Sequence, residues 1–70
     1  MLIDNMHGKA EFSEDTVFGA HDFVVLQMKR GKQTKFYWLV RKFTDYYQIP
    51  KWQAKVLADH VLHMVPELVE

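Results

Sequence analysis

The chain has no cysteine, only two prolines and three glycines, and no net charge, with nine Lys plus Arg against nine Asp plus Glu. Without cysteine there is no disulfide framework, no thiolate metal site and no cysteine nucleophile, which suits a reducing compartment. No apolar run approaches the roughly 18 residues that a membrane span requires. Met1-Leu2-Ile3-Asp4-Asn5 lacks the basic start and apolar stretch of a signal peptide. The expected location is cytoplasmic, with no membrane partner. There is also no glycine-rich phosphate loop, no nucleophile elbow and no spaced carboxylate pair beside an apolar stretch. Ser13 shares the chain with histidines and aspartates, but chance explains that co-occurrence. A chain of 70 residues has little material with which to wrap a substrate pocket. These absences predict a protein that is not an enzyme, with no catalytic residues, cofactor, metal or small-molecule substrate.

What is present is apolar and aromatic. Hydrophobic residues make up 49% and aromatics 14%, enough to fold one small domain over 1–70. Its expected parts are an arm at 1–12, a helical core at 13–65 and a tail at 66–70.

Charge that cancels in sum is segregated along the chain. Residues 1–28 hold Asp4, Glu11, Glu14, Asp15 and Asp22 against Lys9, a balance of −4. Residues 29–55 hold Lys29, Arg30, Lys32, Lys35, Arg41, Lys42, Lys51 and Lys55 against Asp45, a balance of +7. Residues 56–70 hold Asp59, Glu67 and Glu70, a balance of −3. Either the acidic ends fold back on the basic middle, or the middle is free to attract an anionic partner. Seven aromatics share that middle: Phe36, Tyr37, Trp38, Phe43, Tyr46, Tyr47 and Trp52. Cations interleaved with aromatics are what phosphate neutralisation and base stacking require, although a core recruits aromatics too.

Local signals predict an all-α fold, a compact three-helix domain. Ser13 before Glu14 and Asp15 reads as an N-cap with an acidic first turn, and Lys29-Arg30-Gly31 as a basic last turn with a terminating glycine. Val17, Phe18, Ala20, His21, Val24, Val25 and Met28 share one helical arc between them, giving a first helix at about 14–30. Phe23 and Leu26 lie off that arc. Thr34 can cap a second helix at 34–48, with Phe36, Leu39, Val40, Phe43, Tyr46 and Tyr47 as its core face. Pro50 suits the first turn of a third helix at 50–65, with a stripe of Ala54, Leu57, Ala58, Val61, Leu62, Met64 and Val65 that ends before Pro66. The first twelve residues form a loose or strand-like arm. The alternative is an α+β fold in which the β-rich Phe23-Val24-Val25-Leu26 joins a hairpin at 22–41, followed by a helix.

Two binding readings follow. The first is a nucleic-acid-associated protein with a helix-turn-helix-like segment at about 40–59, framed by Phe43, Tyr47, Ile49, Ala54 and Leu57 with small Thr44 at the crossing. Gln48 stands where a glycine often makes the left-handed turn. The predicted nucleic-acid contacts are Lys29, Arg30, Lys32, Lys35, Trp38, Arg41, Lys42, Lys51, Gln53 and Lys55. Trp38, Arg41, Lys42 and Asp45 point away from the second helix's core face with Tyr37 beside them, and Lys42 can cover the Trp38 indole. The predicted outer face of the third helix is Lys51, Trp52, Gln53, Lys55, Val56, Asp59 and His60, in which Asp59 would repel phosphate. The second reading is a protein–protein interaction module, a homodimeric adaptor or an inhibitor of a larger protein. Trp52, Val56 and His63 form a second apolar stripe on the third helix, to be met by the arm, a second copy or another protein. His60 and His63 stand three apart on one helix, too few ligands for a metal site.

Overall fold

The computed structural model describes residues 1–64. Its elements run β1 (Leu2–Asn5), β2 (Gly8–Glu11), α1 (Glu14–Lys29), α2 (Phe36–Tyr47) and α3 (Lys51–Met64). Three helices are joined by an N-terminal antiparallel hairpin, so the class matches the α+β alternative and the three-helix core survives inside it. The strands are not at 22–41, because both of those segments are helical. Val65 and the tail at 66–70 lie outside the described residues.

Each helix ends where its local chemistry dictates. The Ser13 hydroxyl accepts from the Thr16 N–H at 3.1 Å, supplying one of the donors that a helix start leaves open. At the other end of α1 the Gly31 N–H reaches Met28 O at 3.1 Å and the Lys32 N–H reaches Gln27 O at 2.8 Å. This paired closure needs a left-handed residue, and Gly31 provides it at φ 67°. Capping outweighs the β-rich run inside α1. α2 starts later than expected: Lys35 occupies the cap position without a side-chain bond, so Thr34 does not cap it. Gln48 takes the left-handed conformation itself, φ 56° and ψ 47°, and its Nε2 donates to Asp45 O at 2.7 Å. Pro50 sits one residue before α3, and its carbonyl accepts from the Ala54 N–H at 3.1 Å.

The arm takes the strand-like of its two expected forms. Ile3 pairs with Ala10 and Asn5 with Gly8 across a two-residue turn. Alternation turns Ile3, Ala10 and, just beyond β2, Phe12 inward, while Asp4, Lys9 and Glu11 face solvent. Asn5 ties this hairpin to the far end of the chain. Its Oδ1 accepts from the His7 N–H at 3.0 Å and its Nδ2 donates to Val56 O at 3.0 Å. The last helix therefore lies at the centre, in contact with α1, α2 and both strands. Ala54, Val56, Leu57, Ala58 and Val61 are buried along it, packed with Val17, Ala20 and Val24 of α1 and Leu39, Val40 and Phe43 of α2. No described helix is long and apolar enough to cross a membrane.

Candidate functional site

The second stripe of α3 is covered from within. Val56 has 0% exposure and belongs to the core, which corrects its assignment to a protein interface. The hairpin fills the space above it: a Cβ added at Gly8 would lie 3.4 Å from Trp52 Cε3 and 3.7 Å from Val56 Cγ2. Trp52 keeps 47% of its surface and His63 is exposed. The predicted outer face of α3 is thus largely closed. Of Lys51, Trp52, Gln53, Lys55, Val56, Asp59 and His60, only Lys51 and Trp52 are exposed. His60 has its Nε2 buried with no partner among the described residues, so it does not converge with His63. Among the described residues no three His, Asp or Glu side chains gather to share a metal ion.

The basic block meets the opposite fate. Among the described residues, none of Lys29, Arg30, Lys32, Lys35, Arg41, Lys42, Lys51 and Lys55 forms an ion pair. The acids engage other partners. Glu11 holds the Met1 ammonium at 3.0 Å, Asp4 faces Lys9 at 3.9 Å, and Asp22 faces His21 at 3.6 Å. Asp59 faces His7 and His63. Among the described residues, no acid of the N-terminal third pairs with a cation of the basic middle. Lys29, Arg30, Lys32 and Lys35 mark the end of α1, the connection and the start of α2, and all four are exposed. Arg41 and Lys42 continue the row along the outer face of α2.

The aromatics divide into packed and free. Trp38 is half-buried, with its indole stacked on Phe23 at 6.2 Å between ring centres and an 11° tilt. Lys42 Nζ lies over the same indole at 5.2 Å, as the four-residue spacing predicts. Phe23 and Lys42 thus both engage the Trp38 indole. Tyr37, at 69% exposure, is the open ring beside the cations, and Tyr46, at 80%, stands at the other end of α2.

Two concavities flank α2. A groove of about 300 Å³ between α1 and α2 is lined by Gly19, Phe23, Lys42, Phe43, Tyr46 and Tyr47. Burial, then the neighbouring Tyr46, pushes the Tyr47 phenol above its ordinary pKa. A more open pocket of about 450 Å³ is walled by His7, Phe36, Tyr37, Asp59, Leu62 and His63. Sequence reasoning missed this second site, because His7 and Asp59 meet only when the hairpin docks on α3. Their one local trace is the Asn5–Gly8 bracket that turns His7 inward. The chain matches no family model, no curated protein and no solved structure.

Proposed function

We propose that this chain is a small non-enzymatic nucleic-acid-binding protein that grips phosphate with the α1–α2 connection and the outer face of α2. The observation that carries the reading is the row of unpaired, exposed cations beside the free Tyr37 ring. Cations that form no ion pair among the described residues favour an external anion, since neutralised phosphates release counterions. Base reading by α3 in a major groove has less support, because that helix keeps few exposed positions. The footprint is therefore Lys29, Arg30, Lys32, Lys35, Arg41 and Lys42, with Lys51, Gln53 and Lys55 at its edge.

The test is fluorescence anisotropy with labelled DNA and RNA across a salt series. Binding at about 50 mM salt that weakens steeply with added salt is the expected result. No binding at the lowest salt refutes the reading. The protein-module reading retains one supporting feature, the aromatic groove between α1 and α2, beside exposed Phe18 and Leu26 on α1. Light scattering separates the two: a stable dimer that Tyr46→Ala dissociates would favour the module.

A further inference from the structure

We propose that the pocket between the hairpin turn, the start of α2 and the end of α3 holds one unpaired guanine base, so that the partner is a single strand. This rests on the nucleic-acid reading above and names the base that it engages.

Asp59 sets the requirement. Only 20% of its side chain is exposed, yet among the described residues no donor stands within hydrogen-bonding distance of its carboxylate. His7 Nε2 is 3.9 Å and His63 Nδ1 3.6 Å from Oδ1. The short contact of His63, 2.7 Å, goes to the Asp59 backbone carbonyl instead. A largely buried carboxylate whose two imidazole neighbours, among the described residues, stand beyond hydrogen-bonding distance has acceptor capacity that a ligand bringing N–H groups can fill. The neighbouring walls are flat. His7 stacks on Phe36 at 5.0 Å and 23°, and Phe36 meets the edge of Tyr37 at 5.1 Å. The ligand that fits is a planar ring with two adjacent donors on one edge.

Among the bases only guanine answers that description. Its N1–H and 2-amino group lie side by side and match the two oxygens of one carboxylate. Adenine and cytosine each set a ring-nitrogen acceptor beside their amino group, and thymine flanks its N3–H with two carbonyls, so each brings an acceptor against an anion. In a duplex the guanine edge is already paired with cytosine, so it is free only in a single strand or loop. The flanking phosphates have a path. Arg41 follows Tyr37 by one turn on the same face of α2, so a base stacked at Tyr37 brings its backbone near that cation. An arginine side chain also offers a flat fork of donors, but the exposed cations around the start of α2 repel a basic peptide.

The experiment compares an eight-nucleotide thymidine strand with strands carrying one central guanosine, adenosine or inosine, by anisotropy at about 50 mM salt. The guanosine strand should bind ~5-fold or more tighter than thymidine alone, as expected for a two-donor base contact. Inosine, which lacks the 2-amino group, should lose most of that advantage. Asp59→Asn, with its fold checked by circular dichroism, should erase the guanosine preference while thymidine strands still bind and still weaken with added salt. Equal binding of all four strands overturns the base pocket while leaving phosphate binding intact. Preference for an arginine-rich peptide over the guanosine strand also overturns it. If no strand binds, the nucleic-acid reading fails and the pocket assignment falls with it.

Discussion

Val56→Ala is the sharpest test of the structure, because covered and uncovered stripes predict opposite outcomes. In the fold described here, Val56 has 0% exposure and the hairpin end rests on it. Removing two methyl groups forfeits about 0.8 kcal/mol each in transfer free energy, or about 1.6 kcal/mol together. A void of roughly 40 Å³ adds about 1 kcal/mol if the hairpin does not settle into it, at about 24 cal/mol per Å³. The expected loss is therefore about 1.6–2.6 kcal/mol, a fall in Tm of roughly 6–20 °C for a domain of this size. Urea and thermal unfolding measure it, followed by circular dichroism and by tryptophan fluorescence. Trp52 is well placed to report, since Gly8 lies against its ring. His63→Ala is the control, because His63 is exposed and its removal should change stability by no more than about 0.5 kcal/mol. If Val56→Ala leaves the melting curves unchanged but alters sedimentation, the hairpin does not cover α3 and Val56 faces a partner.

Other substitutions probe the local devices. Ser13→Ala should cost about 1 kcal/mol by removing the cap on α1, read from the urea midpoint. Gly31→Ala should cost about 1 kcal/mol from its left-handed backbone alone, since nothing lies near the added carbon; Gly31→Asn should cost less. Raising the pH above about 10 should lower Tm, because the unfolded chain releases the Tyr47 proton first, and this loss develops between the unfolded and the raised folded pKa. Tyr47→Phe should lack that component of the alkaline decline, as thermal scans across pH would show. In strand-binding titrations, Lys32→Gln and Arg41→Gln should each reduce the salt slope by about 0.7, the value for one phosphate of a single strand. An unchanged slope would remove that residue from the footprint.

The helices were legible because their signals are local. Ser13 and Gly31 bound α1, and the periodic face of α2 places Leu39, Val40 and Phe43 in the core. Phe23 and Trp38 looked anomalous, each off the core stripe of its own helix; the structure stacks them on each other. The hairpin was harder to read. Its strands are four residues each, too short for alternation to stand out, and Met6-His7 is not the Asn-Gly pair that announces a tight turn. The second stripe on α3 was visible, but Asn5 and Gly8, which meet it, lie far away in sequence. Of the candidate site, the cations were legible as charge. That Phe23 packs on Trp38, that Tyr37 is exposed and that His7 comes up to Asp59 depended on packing between distant segments.

The docking of β1 and β2 on α3 also sets the order in which the molecule can come together. Synthesis delivers the hairpin first and its seat last, and the roughly fifty residues between them take about 3–10 s to make. Through that interval Ile3, Ala10 and Phe12 have nothing to cover, and a lone two-stranded hairpin is barely stable in water. α1 and α2 likewise wait for Leu57 and Val61. A nascent chain halted before α3 should therefore remain protease-sensitive throughout, and release of the last helix should protect every element at once.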